Sequence, residues 1–240
     1  YPIPATACLI QHQLGATRAA ACDLSAACCG FVYALSLADA YVKTGMRHVL
    51  IIGSEVMSAI TDWTDRNTCI LFGDGAGAAV VSASENDRGT LSTHLRSDGA
   101  LCELIAVPGG GSRLPPSDKV VAERMQYIKM RGNETFKVAV RTLEEIARET
   151  LAANHLRVED LDLYVPHQAN VRILKAVAER LGLPPEKVML NLDRYGNTSA
   201  ASIPIALDEA LQQGLIKEGS LVMLGAFGAG LTWASALIRW

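Results

Sequence analysis

Short apolar runs alternate with stretches of helical periodicity along the chain. Seven runs have the length of buried strands, at 19–24, 48–53, 78–82, 161–165, 188–192, 221–225 and 231–239. Apolar side chains recur at helical spacing in five further stretches, at about 6–14, 29–43, 134–153, 171–181 and 200–213. Gly15, Gly45 and Gly182 are placed to end three of these helices. Strands that alternate with helices predict an α/β fold with a largely parallel sheet.

The order of these elements is repeated. Strand, helix, strand, glycine-rich turn and strand follow one another from 19 to 82 and again from 188 to 239, and a helix precedes each series. We therefore predict two pseudo-duplicated α/β halves, at residues 1–85 and 86–240. The second half carries an additional strand and long helix before its series. By this symmetry the first half is incomplete, and we interpret the chain as the N-terminally truncated part of a longer protein.

The composition and net charge of the chain argue against two classes of partner. Half of the residues are apolar and the net charge is −3, so the chain has no general attraction for nucleic acid or an anionic membrane, and we expect neither as a partner. The six cysteines include no C-x-x-C pair and no zinc-like spacing, which indicates reduced thiols, no metal site and a cytoplasmic location. No apolar run reaches the ~20 residues that a membrane-spanning helix needs.

Cys28 is the candidate nucleophile. It lies between a predicted strand and a predicted helix, among small residues. Unpaired N–H groups at a helix N-terminus favour an anion, so we expect this position to lower the pKa of the Cys28 thiol. Cys29 is the adjacent alternative, although its side chain is expected to point elsewhere. A small buried thiol without chemistry is the structural alternative.

His167 and Asn197 each follow a predicted strand and precede a predicted helix. Ligands of open α/β sheets bind beyond the carboxyl ends of strands, which makes both residues candidates. Taken alone, a histidine at a strand end is more often structural, and the asparagine is typical of a helix cap or turn. In the duplicated pattern, however, Asn197 takes the position of Cys28. A pseudo-twofold axis would bring the two helix starts together at the centre of the molecule.

Three segments resemble the β-ketoacyl-acyl carrier protein synthase III family. They are DLSAACCGF at 23–31, VPHQAN at 165–170 and GNTSAAS at 196–202. The resemblance continues through FGDGAGAA at 72–79 and GNE at 132–134, and it covers essentially the whole chain. It implies a thiolase-like fold of two halves in αβαβα layers, with the first half incomplete. It also implies a homodimer and an acyltransferase that takes a CoA thioester as substrate without a further cofactor.

The resemblance also implies roles for individual residues. Cys28 matches the cysteine that takes the acyl group from a short acyl-CoA. His167 and Asn197 match the pair that stabilises the enolate formed when the malonyl-acyl carrier protein loses CO₂. Cys28 and Ala229 are implied as backbone donors to the oxyanion. A last group matches positions that line the CoA tunnel or pack beside the cysteine: Arg66, Met130, Gly132, Asn133, Phe136, Ala169, Asn170 and Phe227.

Arg172 matches a residue that docks the acyl carrier protein, and Lys175 lies on the same predicted helix. These two cations could form a landing site for an acidic carrier, or simply a solvated helix face. The function implied is the condensation that begins fatty-acid synthesis, with acetyl-CoA as the expected acyl donor.

Two alternatives stay open: a priming ketosynthase of polyketide or quinolone biosynthesis, and a non-catalytic partner subunit. A degradative thiolase is disfavoured, because that reaction needs a second cysteine near the C-terminus and none follows Cys102. Asn67 and Cys29 stand where the family usually has glycine or another small residue, which leaves acyl-chain preference and CoA affinity open.

Overall fold

The fold was analysed in a computed structural model that describes residues 1, 3–84 and 86–240. The described strands are β1 (His48–Glu55), β2 (Gly75–Ser82), β3 (Gly89–Ser97), β4 (Ile105–Ala106), β5 (Lys129–Met130), β6 (Leu163–Pro166), β7 (Leu221–Gly228) and β8 (Thr232–Arg239). The α-helices are α1 (Thr6–Gln13), α2 (Gly30–Lys43), α3 (Asp118–Ala122), α4 (Gly132–Ala153), α5 (Val171–Leu181), α6 (Leu192–Tyr195) and α7 (Ser202–Gln212). Short 3₁₀ turns form at Ala27–Cys29, Met57–Ala59, Gly99–Leu104, Val158–Asp160, Pro185–Lys187 and Ser199–Ala201.

The strands form one four-stranded sheet and two strand pairs. The large sheet has the order β3-β8-β7-β6, while β1 pairs with β2 and β4 with β5. Only β6 and β7 run parallel among the strands of the described ranges; the other neighbours are antiparallel. The prediction of a largely parallel sheet is therefore wrong for these residues. A connection of three residues joins β7 to β8, and a link this short permits only antiparallel pairing.

Two predicted strands do not form. Residues 19–24 are not a strand and lie largely at the surface, with Leu24 exposed. A strand needs a neighbour for its backbone groups, and no described strand pairs with this segment. Its Asp23 instead accepts hydrogen bonds from the N–H groups of Thr6 and Ala7, both at 2.8 Å. These two contacts hold the segment against the start of α1.

The predicted strand 188–192 is reduced to an isolated bridge between Val188 and Tyr164. Beyond it the chain leaves the sheet, because the Gln168 side chain accepts the N–H of Asn191 at 3.0 Å and α6 begins at Leu192. Strand β3 was not predicted, since its polar residues (sequence GTLSTHLRS) do not stand out as an apolar run. The five predicted helices and the other predicted strands are confirmed, within a few residues at their ends.

The large sheet is buried on both faces. Val222 and Leu224 of β7 point into a cluster built with α2, α7 and β1, whereas Met223 points into a second cluster built with α4 and α5. This alternation follows from the period of two along a strand. Helices α2 and α7 therefore lie between the two sheets, and α4 and α5 cover the outer face of the large sheet. This is the layered α/β arrangement that the sequence predicted.

Close backbone contacts tie the loop before β2 to the loop before α7. The N–H of Gly73 donates to the carbonyl of Asn197 at 3.0 Å, and the N–H of Asn197 donates to the carbonyl of Leu71 at 2.8 Å. A methyl group added to Gly73 would lie 2.1 Å from the carbonyl oxygen of Tyr195. Gly196 adopts φ +66°, a conformation that side chains disfavour. Both glycines are needed for the two loops to meet.

We expect Gly73→Ala to destabilise the protein by about 1–3 kcal/mol, because the added methyl group cannot be placed without moving a backbone segment. The free energy of unfolding, measured by urea titration, tests this. Gly99→Ala is the matched control, since a methyl group at Gly99 would meet no atom within 4 Å. Equal stability of the two variants would contradict the expectation.

Candidate active site

Cys28 lies in the tight turn Ala27–Cys29, directly before α2. Ala27 adopts φ +46°, a left-handed conformation that is strained for any residue other than glycine. The end of β7 packs against this turn, since a methyl group added to Gly228 would lie 2.8 Å from the backbone N of Cys28. Strained non-glycine residues cluster at functional sites. The turn therefore presents the cysteine at a constrained position, as the strand–turn–helix pattern suggested.

The predicted second half contains a matching turn at Ser199–Ala201, directly before α7. Ser199 has φ +49°, close to the value at Ala27. The two turns meet: a methyl group added to Gly30 would lie 3.3 Å from Cβ of Ala200. The prediction that the two helix starts come together is thus confirmed. The predicted equivalence of Asn197 with Cys28 is wrong by three residues, because matching the two strained turns places Ala200 opposite Cys28.

Hydrogen bonds fix both the backbone of Asn197 and the oxygen of its side-chain carboxamide. Its backbone is fixed by the contacts to Leu71 and Gly73, and its Oδ1 accepts the N–H of Ser199 at 2.9 Å. This bond assigns the oxygen end of the carboxamide to the turn. The Nδ2 end has no hydrogen-bond partner among the described residues, so it can donate to a ligand.

His167 follows β6, and its N–H donates to the carbonyl of Gly225 at 2.7 Å. Its Nδ1 lies 2.6 Å from Oγ of Ser202, the first residue of α7. Burial lowers the pKa of His167 to about 4, because the surroundings disfavour the charged ring. The imidazole is therefore neutral at physiological pH. No described residue forms a hydrogen bond to its Nε2, so this nitrogen is available to a ligand.

The segment 197–202 connects the three predicted catalytic residues. Asn197 belongs to it, Ser202 contacts His167, and the side chain of Ser199 lies beside Cys28, where it lowers the pKa of the thiol. The hydroxyl of Ser199 donates its one hydrogen to Oε1 of Glu55 at 3.0 Å. A thiol and two neutral groups with a free nitrogen are thus gathered around one short stretch of chain. Such a set can attack a carbonyl carbon and stabilise charge on an oxygen.

The ionisation of Cys28 differs from the sequence expectation. Burial raises the pKa of the Cys28 thiol to about 11, and the charge of Glu55 adds to the increase. The hydroxyl of Ser199 and the backbone N–H of Cys28 lower it by less. The expectation of a lowered pKa is therefore wrong, because the cost of desolvating the anion exceeds the effect of the helix start. Burial also raises the pKa of the neighbouring Cys29 thiol.

Phe227 and Ala229 lie at the end of β7, the strand end that packs against the turn that carries Cys28. Phe227 is buried in β7 and Ala229 follows that strand directly.

Phe136 in the first turns of α4 faces α5, where the guanidinium of Arg172 lies 5.7 Å from the centre of its ring. Arg172 and Lys175 are exposed on α5. These contacts place one candidate tunnel residue against one candidate docking residue.

The other predicted tunnel residues lie at the starts of α4 and α5, in β5 and in the loop between β1 and β2. Asn170 caps α5, since its side chain accepts the N–H of Arg172 at 2.8 Å. Ala169 directly precedes it and is half-buried, as is Met130 in β5. Gly132 and Asn133 are exposed at the start of α4. Arg66 is exposed, and within the described residues its side chain has no hydrogen bond or ion pair, so the structure does not join it to the others.

An ion pair organises the loop that carries Arg66. The buried carboxylate of Asp62 accepts two hydrogen bonds from the guanidinium of Arg124, at 2.8 and 2.6 Å, and Lys129 lies 3.5 Å away. The bond from Arg124 holds the pKa of Asp62 well below its usual range. This clasp fixes the loop against the segment that leads to Met130.

Sequence reasoning missed Ser199, Ser202, Glu55 and the Asp62–Arg124 pair. Both serines lie inside the segment 196–202 that carried the resemblance, and Glu55 ends a strand at its carboxyl edge, where sites form. Asp62 and Arg124 are 62 residues apart and offered no local pattern. Over residues 1, 3–84 and 86–240, no group of three or more His, Cys, Asp or Glu side chains is arranged to hold a metal ion. In the same ranges no helix is both long and apolar enough to cross a membrane.

Comparison with known proteins gives one consistent result. Residues 22–99 match the family 3-oxoacyl-[acyl-carrier-protein (ACP)] synthase III, and residues 151–240 match its C-terminal family. The β-ketoacyl-[acyl-carrier-protein] synthase III of Caldanaerobacter subterraneus subsp. tengcongensis is 52% identical over 238 residues, which are 99% of this chain and 72% of that protein. A relative of the same name from Alkalilimnicola ehrlichii is 55% identical over 240 residues, 99% of this chain and 73% of the relative.

Solved structures agree with the sequence relatives. The crystal structure of 3-oxoacyl-[acyl-carrier-protein] synthase III from Aquifex aeolicus superposes with a TM-score of 0.91 at 49% identity, covering 99% of this chain and 73% of that one. The priming β-ketosynthase from the R1128 polyketide pathway superposes with a TM-score of 0.88 at 38% identity, covering 98% and 70%. The thiolase-like fold of this family accounts for the layers and the paired turns described above. The chain belongs to the β-ketoacyl-[acyl-carrier-protein] synthase III family.

Proposed function

We propose that the protein condenses a short acyl-CoA, acetyl-CoA first among the candidates, with malonyl-acyl carrier protein and so begins fatty-acid synthesis. It is an acyltransferase of the family named above. The observation that carries the assignment of the site is the segment 197–202, which contains Asn197, contacts His167 through Ser202 and reaches Cys28 through Ser199.

In the first half-reaction, Sγ of Cys28 attacks the thioester carbon of the acyl-CoA. A carbon–sulfur bond to Cys28 forms, the bond to the CoA sulfur breaks, and the thiol proton leaves with the CoA thiolate. Because burial raises the pKa of Cys28 to about 11, the thiol is protonated at pH 7, and we propose that its proton departs as the new bond forms. The Cys28 and Ala229 N–H groups are the proposed donors to the oxyanion. Each such donor is typically worth about 3–4 kcal/mol.

In the second half-reaction, the malonyl thioester loses CO₂ and its carbonyl oxygen takes on the charge of an enolate. Nε2 of His167 and Nδ2 of Asn197, which no described residue engages, are the proposed donors to this oxygen. The low pKa of His167 suits that role, because a neutral ring can donate a hydrogen bond without giving up its proton. The enolate carbon then attacks the acyl-Cys28 carbonyl, the bond to sulfur breaks, and the released Cys28 thiolate takes up a proton from solvent.

Three further proposals concern partners and location. Arg172 and Lys175 are exposed near the start of α5 and could receive the acidic carrier protein.

We propose a homodimer, supported by β2, which pairs with β1 along one edge while no other described strand pairs with its second edge. Val80 on this strand is 65% exposed, as expected if a partner covers it. A cytoplasmic location is consistent with six unpaired cysteines.

A priming ketosynthase of a polyketide pathway is the second candidate, because a structure of that description superposes closely. The higher identity to relatives named synthase III favours the first function. Profiling a series of acyl-CoA donors separates the two.

Substitution of the three proposed catalytic residues should separate the half-reactions. With radiolabelled acetyl-CoA, Cys28→Ala should abolish the covalent label, whereas His167→Ala and Asn197→Ala should retain it. The latter two should lose about 10²–10³-fold in condensation rate, the usual effect of removing one donor to an oxyanion. Cys102→Ala, at an exposed thiol, is the matched control. A label that survives in Cys28→Ala would refute the assignment.

Removing the charge of Glu55 should lower the pKa of Cys28, since that charge disfavours the thiolate. Glu55→Gln keeps an acceptor for the hydroxyl of Ser199 and should shift the alkylation of Cys28 by iodoacetamide to lower pH. Peptide mass spectrometry must follow Cys28 alone, because Cys8, Cys22 and Cys102 are exposed. Glu103→Gln, at an exposed residue, should leave the profile unchanged. An unshifted profile in Glu55→Gln would show that this carboxylate does not act on the thiol.

Substitution of Arg172 tests the docking surface. Arg172→Ala should raise the KM for malonyl-acyl carrier protein by about 5- to 30-fold, as for the loss of 1–2 kcal/mol of charge-assisted binding. Labelling of Cys28 by acetyl-CoA should be unaffected. Arg180→Ala is the control, since Arg180 lies near the other end of the same helix and pairs with Glu144. A similar KM in both variants would place the carrier elsewhere.

A further inference from the structure

Ser202 is the residue in direct contact with the back of the His167 ring. It is the first residue of α7 and is 2% exposed. Its Oγ lies 2.6 Å from Nδ1 of His167 and accepts the backbone N–H of Gln168 at 3.3 Å. The serine thus touches two consecutive residues of the loop after β6. It reaches the nitrogen of His167 that points away from the proposed substrate oxygen.

The distance alone allows either atom to be the donor, and the number of available protons decides between them. If Nδ1 carried the proton and donated it, Oγ would accept two hydrogen bonds and its own hydroxyl proton would be left over. Within the described ranges, Nδ1 is the only acceptor that this hydroxyl reaches. A buried polar hydrogen without a partner costs free energy. Donation from Ser202 to Nδ1 pairs both of these atoms and leaves the proton on Nε2, which is not among the fully buried unpaired atoms and is free to donate to a ligand.

The surroundings hold this geometry in place. Nε2 of Gln168 donates to the carbonyls of Pro166 at 2.8 Å and Met189 at 3.1 Å, and its Oε1 accepts the N–H of Asn191. The loop that carries His167 is therefore fixed at its side chains as well as at its backbone. His167 and Ser202 are both almost fully buried, so solvent has little access to the hydrogen bond between them.

We propose that Ser202 is a positioning residue that donates its hydroxyl hydrogen to Nδ1 and thereby fixes His167 as the tautomer protonated at Nε2. This inference rests on the proposed function for its catalytic meaning. In that tautomer Nε2–H points a donor at the enolate oxygen. In the other tautomer Nε2 would present a lone pair to the same oxygen and repel it. The tautomer of a histidine is set by the hydrogen bond at its other nitrogen.

The test combines a spectroscopic and a kinetic measurement on the wild-type protein, Ser202→Ala and Ser202→Thr. Long-range ¹H–¹⁵N spectra with ¹⁵N-labelled histidine distinguish the protonated from the bare ring nitrogen. His167→Gln identifies the signals. The kinetic readouts are labelling of Cys28 by acetyl-CoA and the rate of condensation with malonyl-acyl carrier protein. Ser235→Ala, which removes another fully buried hydroxyl, is the matched control.

We expect His167 of the wild type to be protonated at Nε2 and bare at Nδ1. Ser202→Ala should shift the ring toward the Nδ1–H tautomer and reduce the condensation rate by about 10- to 100-fold, by analogy with the loss of the partner that orients a metal-binding histidine. Labelling of Cys28 should persist, which also shows that the variant is folded. Ser202→Thr retains the hydroxyl and should keep the wild-type tautomer. The control should change neither spectrum nor rate.

Protonation of Nδ1 in the wild type would overturn the proposal, whatever the variants do. So would an unchanged tautomer and condensation rate in Ser202→Ala. If Ser202→Ala fails to fold, the wild-type and Ser202→Thr spectra still decide. Failure of the wild type to become labelled at Cys28 would contradict the proposed function, while the tautomer would still be read from the spectrum.

Discussion

The site depends on the close contact between two strained turns, Ala27–Cys29 and Ser199–Ala201. Glycines at the points of contact allow the turns to approach each other. Gly30 lies against Ala200, Gly228 against the backbone of Cys28, and a methyl group on Gly53 would fall 2.5 Å from the carbonyl oxygen of Ala200. A methyl group cannot be placed at Gly53 or Gly228 without a shift of the backbone, and at Gly30 it would make a tight contact. If the turns were held apart by one methyl group, the thiol and the segment 197–202 would no longer meet. The buried sheet and the two central helices serve to hold these turns together.

The same burial selects the protonation states of the site. It raises the pKa of Cys28 and lowers that of His167, so that both groups are neutral near pH 7. Charge then develops only in the course of the reaction, on the oxygen atoms of the substrates. In surroundings of low polarity a fixed hydrogen-bond donor stabilises such charge more strongly than it would in water. A permanently charged cysteine–histidine pair would have to be desolvated first, whereas this arrangement avoids that cost.

Periodicity predicted most of the fold, because helices and buried strands depend on residues that are near one another in sequence. It failed where pairing decides the outcome: residues 19–24 have the composition of a strand but no described partner, and β3 forms on the edge of the sheet despite its polar sequence. The candidate site was predicted from three short segments. The serines that orient it could not be predicted, since their roles depend on atoms brought together across the fold. The offset between Asn197 and Ala200 shows that a repeat in element order does not fix a residue-by-residue match.

The clasp between Asp62 and Arg124 separates two tasks within the molecule. Asp62 lies in the outer loop that carries Arg66, and its contacts with Arg124 and Lys129 attach this loop to the segment around Lys129. The glycine contacts at the centre make no use of that loop. Substitutions in the outer loop can therefore change the surface around Arg66 while the two central turns keep their spacing. A fold divided in this way can vary at its periphery without disturbing the groups at its centre.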